Sequence, residues 1–242
     1  MSTNASRSET GVSQELIWKH YQQPDAAAAF AGAVPRLNNL LRRVERLSKS
    51  PTPSVLNIGV GSGYFEREAK RRGWKIHSLD PDTQTIARLA DEGIVARSGY
   101  VESMPFEDAS LDFVVASELV EHLSDTQRTQ GLQEIARTLN LDGYFLGTVP
   151  WNEDLQANMV VCPHCGELFH RWGHQRSFTC ESLRAVLEPC FRDIKVRRTA
   201  FVAFRGRSLL GKLSATARLL LARWGQPIAI PSIIWQARKK LI

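Results

Sequence analysis

Apolar positions follow two rhythms along this chain. Between residues 24 and 48 they recur at helical spacing: Ala26 to Ala29, then Leu37, Leu40, Leu41, Val44 and Leu47. Arg42, Arg43 and Arg46 fall off that face, and Ser50-Pro-Thr-Pro53 breaks the helix. Val55 to Ile58 is a short apolar run ending in glycines, as a buried parallel strand would be. The pattern then predicts a helix from Phe65 to Arg72, stopped by Gly73, and a strand from Lys75 to Leu79 that ends at Asp80. A helix over Thr83 to Glu92 and a short strand over Ile94 to Arg97 follow. Next come a strand from Leu111 to Ala116, a helix from Thr126 to Leu139, an Asp142-Gly143 turn and a strand from Tyr144 to Val149. Strands alternating with helices at this spacing predict βαβ units, a parallel sheet and right-handed crossovers.

After Pro150 the alternation stops. Trp151 to Ser177 is rich in Cys, His, Trp and Asn and reads as an insertion. Thr179 opens a helix ending near Pro189, and Phe191 to Thr199 and Ser232 to Ala237 read as two further strands. A basic segment, Arg207 to Trp224, lies between them. The expected division is a disordered tail over 1–23, a core over 24–150, the insertion over 151–178, and a C-terminal part of the same domain over 179–242.

Composition is that of a globular chain, with 43% apolar and 23% charged residues among 242, so disorder throughout is excluded. No run of 18 apolar residues predicts a membrane span, and Met1 to Gln14 lacks the apolar stretch of a secretory signal. The expected location is cytoplasmic, with an option of peripheral contact at the inner face of a membrane. Charge is unevenly distributed. The net charge is +6, yet residues from Arg192 onward hold twelve basic side chains against one acid, and the first 191 residues are net acidic. Such a basic end suits nucleic acid, an anionic lipid surface, or a merely solvated helix face.

Asn57-Ile-Gly59-Val-Gly61-Ser-Gly63 follows a predicted strand and opens a helix. Glycines there allow a tight turn and close approach of backbone N–H groups to a ligand. Asp80, at the end of the next strand, can accept hydrogen bonds from ribose hydroxyls at the C-terminal edge of the sheet. These features read as a nucleotide site.

On these residues, and on the segment Ser98 to Val115, the chain resembles the class I S-adenosylmethionine-dependent methyltransferases. The resemblance covers roughly Val55 to Pro150, together with the last two strands. It implies a Rossmann-like seven-stranded α/β sheet with helices on both faces, whose last two strands form an antiparallel edge hairpin. It also implies S-adenosylmethionine as cofactor, with Gly59, Gly61 and Gly63 lining the methionine moiety and Asp80 and Pro81 at the ribose. Val101 and Glu102 would lie at the adenine edge and Ser117 on the pocket floor. The chain departs from the family at Asn57, where many relatives have an acid, and at Tyr100, where many have Asp.

Glu118-Leu-Val-Glu121-His122 follows the fourth strand, where the methyl acceptor would sit. A helical turn there would bring Glu118, Glu121 and His122 together. The pattern is similar to that of ubiquinone-pathway O-methyltransferases and of small-RNA 2′-O-methyltransferases, which implies a Mg²⁺-type divalent ion that lowers the pKa of a bound hydroxyl. The metal-free reading makes His122 a general base with a pKa near neutral.

In the insertion, Cys162, Cys165, His170 and His174 are four candidate zinc ligands within 13 residues. The insertion would then be a pinned lid over the acceptor, with Arg171, Trp172, Arg176 and Phe178 available to grip it; His170 or His174 could instead complete the Glu118 site. Leu209, Leu210, Leu213, Leu220, Leu221 and Trp224 share one helical face in the basic segment, which predicts an amphipathic helix between the last two strands. Core packing and membrane contact through 207–224 both suit that pattern. The expected function is O-methylation of a hydroxylated small molecule or glycan. RNA 2′-O-methylation is the second expectation, although the insertion has no recognisable RNA module. A non-catalytic S-adenosylmethionine-binding regulatory subunit is the third.

Overall fold

The computed structural model describes residues 14–22, 32–202, 208–224 and 231–240. The chain order is α1 (Gln14–Gln22), α2 (Val34–Leu47), β1 (Ser54–Ile58), α3 (Tyr64–Arg71), β2 (Lys75–Asp80), α4 (Thr83–Asp91), β3 (Val95–Ser98) and β4 (Leu111–Ser117). A single 3₁₀ turn, Val120–His122, precedes α5 (Asp125–Thr138) and β5 (Leu139–Pro150). Then follow β6 (Met159–Val161), β7 (Leu168–His170), α6 (Cys180–Leu187), β8 (Phe191–Thr199), α7 (Leu209–Arg223) and β9 (Ser232–Lys239).

The main sheet has seven strands in the order β3-β2-β1-β4-β5-β9-β8. The first five are mutually parallel, while β9 runs antiparallel to both β5 and β8. Strand alternation sorts the apolar side chains to two faces. Val55, Val115, Leu146 and Ile234 pack with Leu40, Leu41 and Val44 of α2, Phe65 of α3 and Leu89 of α4. Leu56, Ile58, Val114, Phe145 and Trp235 pack with Leu132 and Ile135 of α5 and Leu183 and Leu187 of α6. The expected α/β architecture, with helices on both faces and an antiparallel last pair, is the one observed.

Helix starts follow side-chain capping. Asp82 accepts from Thr85 N, while Ser124 with Gln127 and Thr179 with Ser182 form reciprocal capping boxes. One core contact is unusually close. Gly147 of β5 pairs with Trp235 of β9, and a Cβ built on Gly147 would lie 2.2 Å from the indole and 2.3 Å from the Ala116 carbonyl.

Two expectations need correction. Residues 14–22 of the expected tail are helical, because the apolar side of α1 finds a partner in the cavity described below. The helix expected from Pro24 is described only from Val34; residues 23–31 lie outside the described set. Asp142-Gly143 does not separate a helix from a strand. β5 runs through it, and the excess residues form an irregularity where Leu111 pairs with Leu139 but Phe113 with Tyr144. Within the insertion, β6 and β7 form a hairpin whose base is closed by a Trp151–Phe178 bridge. Arg207, the first residue of the expected basic helix, lies outside the described set.

Candidate functional site

A cavity of about 840 Å³ opens along the C-terminal edge of the parallel strands, where open α/β sheets bind ligands. At one end it is bounded by Gly59, Gly61, Asp80, Pro81, Val101 and Glu102, with Ser117 on its floor. Gly59 and Gly61 have φ of +81° and +57°, values that L side chains rarely adopt, so the turn demands glycine there. Asp80 is buried and fixed by the loops it joins. Its Oδ2 accepts from Val60 N at 2.8 Å, and its Oδ1 from Asp82 N at 2.9 Å. Tyr100 borders the cavity and is half-exposed, and Glu102 accepts from Gln127 Nε2 at 3.3 Å.

Two expected cofactor residues stand behind this wall. Gly63 does not border the cavity; it is the left-handed N-cap of α3, with Arg67 and Leu89 beside it. Asn57 is buried and turned to the protein interior, because its amide donates to Glu66 Oε1 at 2.7 Å and to the Gly59 carbonyl at 3.3 Å. Glu66 escaped the sequence reading. Burial pushes its pKa up to about 7, against the pull of Asn57.

The other end of the cavity is built from distant segments: Trp18 and Tyr21 of α1, Arg36 of α2, Glu118 and His122 after β4, and Glu153, Trp172 and His174 of the insertion. Arg36 Nε donates to Ser117 Oγ at 2.9 Å and lies 3.9 Å from Glu118 Oε1. Glu118 itself has φ +55°, a left-handed conformation rare outside glycine, with its N–H held by the Thr148 carbonyl. Strained backbone of this kind gathers at functional sites.

Glu118, Glu121 and His122 do not form the expected cluster. The chain makes a tight 3₁₀ turn after Glu118, not an α-helical one, and Glu118 pairs with Arg36. His174 joins instead. Ligand atoms of Glu121, His122 and His174 all lie within 4.8 Å of one another. The insertion is tied there by Gln175 N and Arg176 N, which both donate to the Glu121 carbonyl. The His122 and His174 rings meet edge-on with centroids 4.7 Å apart, and His170 stacks on His174 at the same separation. Trp18 packs edge-on against His122, its Nε1 3.4 Å from His122 Nδ1.

Glu121 is fully buried and neither carboxylate oxygen has a hydrogen-bond partner among the described residues. Burial raises its pKa well above the ordinary value, and Glu118 adds to the rise. His122 moves the other way. Desolvation, then the neighbouring His174, lower it to about 3, so the near-neutral value expected of it is corrected. Glu153 ties the cluster together: Oε2 lies 2.5 Å from His174 Nδ1 and Oε1 3.5 Å from His170 Nε2. Burial would raise the Glu153 carboxyl, but its bond to His174 and the charges of His174 and His170 outweigh that and leave it below the ordinary value.

The four expected zinc ligands are not brought together either. His170 sits in register with Met159 at one end of the β6–β7 hairpin, whereas Cys162 and Cys165 occupy its tip, where Gly166 N donates to the Cys162 carbonyl. Backbone hydrogen bonds from Cys165 and His164 lower the Cys162 thiol. Among the described residues, the clusters able to hold an ion are Glu121–His122–His174 and Glu153–His170–His174. Arg36 and Glu153 were missed by the sequence reading. The only local hint at Arg36 was its place in the first turn of a Pro-led helix.

Residues 56–147 match the methyltransferase domain family. Malonyl-[acyl-carrier protein] O-methyltransferase of Serratia marcescens is 32% identical over 130 residues, half of each chain. Demethylmenaquinone methyltransferase of Chlorobaculum tepidum is 31% identical over 102 residues, 41% of each chain. The chain thus spans about half the length, or less, of the curated relatives it matches. Among solved structures, it superimposes on 98% of the methyltransferase bound to the Trm112 activator of Haloferax volcanii, with 93% of this chain covered, a TM-score of 0.65 and 14% identity. It also superimposes on 61% of phosphoethanolamine N-methyltransferase 2 of Haemonchus contortus, solved with S-adenosylhomocysteine, with 95% of this chain covered, a TM-score of 0.64 and 18% identity. The seven-stranded sheet is thus that of the class I S-adenosylmethionine-dependent methyltransferase fold, and residues 56–147 within it match the methyltransferase domain.

Proposed function

We propose that this protein transfers the methyl group of S-adenosylmethionine to a hydroxyl oxygen of a small molecule or glycan. The observation that carries the reading is the continuity of one cavity from the Gly59–Asp80 end to the His122–His174 end. When bound, the cofactor supplies a methyl group on a positively charged sulfur, open to in-line attack. The turn at Gly59 and Gly61 lets backbone approach the methionine moiety, and Asp80 accepts from the ribose. Trp18, Tyr21 and Trp172 wall the acceptor end. His174 is the better base: desolvation holds His122 far below neutral, whereas the ionised Glu153 requires a proton on His174 Nδ1, which leaves its Nε2 lone pair for the acceptor proton. S-adenosylmethionine held by the Gly59–Gly61 turn and Asp80 would supply the methyl group to the acceptor oxygen, and His174 would take up the proton that the acceptor hydroxyl gives up.

Glu121 favours a second form of the same chemistry. Its unpartnered oxygens, beside His122 and His174, suit a divalent ion. An ion held there would supply a Lewis acid for the acceptor hydroxyl.

The test is calorimetric titration with S-adenosylmethionine, followed by transfer of labelled methyl to a panel of catechols, vicinal diols and oligosaccharides, with metal content measured alongside. Cofactor binding with label on oxygen supports the proposal. Binding without turnover on any acceptor would identify a regulatory subunit. Label on RNA, with strongly salt-dependent RNA binding, would move the acceptor to nucleic acid.

A further inference from the structure

α7 is oriented contrary to the usual amphipathic arrangement. Its buried positions are small: Ala215 is 1% exposed and Ala222 0%. The large apolar side chains turn outward, with Leu210 79% exposed, Leu213 66%, Leu220 48% and Trp224 74%. At 100° per residue these four fall within about a third of the helix circumference, so they form one stripe. Alanines let the helix lie close on its neighbour β8. They leave the leucines and the tryptophan with no role in the core. A contiguous apolar stripe of this kind on a folded surface marks an interaction site.

The charges beside the stripe identify its partner. Lys212 and Arg218 are exposed on α7, as are Lys195 and Arg197 on β8. Asp193 is the last acidic residue, and the 49 that follow contain 11 Lys and Arg. A leucine- and tryptophan-bearing face in a sequence segment without acids matches a surface that is apolar below and anionic above. No helix among the described residues is long and apolar enough to cross a membrane, so contact through α7 would be peripheral.

We propose that α7 is an interfacial helix that docks this protein on anionic lipid bilayers, with Leu210, Leu213, Leu220 and Trp224 entering the acyl boundary and Lys212 and Arg218 meeting the headgroups. The inference is independent of the methyl acceptor.

Full-length protein is sedimented with vesicles of phosphatidylcholine alone and with vesicles of phosphatidylcholine and phosphatidylglycerol in equal parts. The expected result is at least about tenfold stronger partition onto the anionic vesicles, weakened by added salt. Leu213→Glu/Leu220→Glu and Lys212→Glu/Arg218→Glu should each lose about tenfold or more of that partition. Both pairs are exposed, and unchanged circular dichroism and cofactor titration establish that the variants fold. Absence of binding to the anionic vesicles, or equal binding to both kinds, overturns the proposal. So does a dimer in sedimentation velocity that Leu213→Glu/Leu220→Glu dissolves while vesicles bind neither form, since the stripe would then meet a second copy.

Discussion

The side-chain amide of Asn57 donates to the carboxylate of Glu66 across 2.7 Å in a fully buried setting. This pair accounts for an amide where many class I relatives carry an acid. A carboxyl at 57 would face another carboxyl, and one of the two would have to take up a proton to avoid a buried pair of like charges. Asn57→Asp should destabilise the fold by about 1–3 kcal/mol, the cost of an unmatched buried polar group. Chemical denaturation of the two proteins at neutral pH checks this.

Glu66 also sets a pH dependence. Its pKa is raised from 4.5 to about 7 in the folded protein. The stability it contributes is fully present below 4.5, declines as the unfolded chain ionises, and is lost once the pH passes about 7. The melting temperature should therefore fall with rising pH across that interval, and Glu66→Gln should flatten the slope. A calorimetric pH series that is identical for both proteins would rule this out.

Asp80→Ala removes the acceptor assigned to the ribose and also frees Val60 N and Asp82 N. S-adenosylmethionine affinity should drop about 10- to 100-fold, as expected for lost hydrogen bonds to a charged group. Asp80→Asn keeps one acceptor and should fall between wild type and alanine in the same titration.

Glu153 and His174 should act as a unit. His174→Ala is expected to lower kcat about 10²- to 10⁴-fold with little change in cofactor affinity. Glu153→Gln should lower kcat less and leave the fold intact, because an amide oxygen still accepts from Nδ1. Cys162→Ser should change neither kcat nor bound metal, since the hairpin tip lies at the end away from His170 and His174. Single-turnover kinetics and elemental analysis read these outcomes.

Gly147→Ala should be severely destabilising. The added methyl meets the Trp235 ring and the Ala116 carbonyl at distances no Cβ tolerates, and both belong to the central sheet. A loss of about 3 kcal/mol or more is expected from overpacking of this severity, seen as a lower melting temperature.

Local pattern explains why the glycine turn and Asp80 were legible and the far end of the cavity was not. The Gly59–Gly61 turn and Asp80 lie in two successive βαβ units, where a strand end and a helix start are encoded by neighbouring residues. β8 was readable to its limits, Phe191 and Thr199. Trp18 reaches His122 across 104 positions, and Arg36 reaches Ser117 across 81, so neither contact leaves a local periodicity. The cysteines and histidines of the insertion were noticed by composition. Spacing could not tell that the hairpin turns Cys162 and Cys165 away and gives His174 to Glu153. In α7 the helical period was plain, but which side faces β8 depends on packing: alanines approach closely and leucines do not.

The place of β9 has a consequence for biosynthesis. β9 lies between β5 and β8, although it follows both in the chain. A growing polypeptide can assemble β1 to β5 with α2 to α5, but β8 then has no strand beside it. Until residues 232–239 leave the ribosome, β5 and β8 both present open edges, and the Trp235 side of the core is unfilled. The nascent chain therefore spends the synthesis of α7, with its leucine stripe, as a sheet lacking its inner strand. That interval is the one in which a chaperone, or premature pairing with another chain, has access to it.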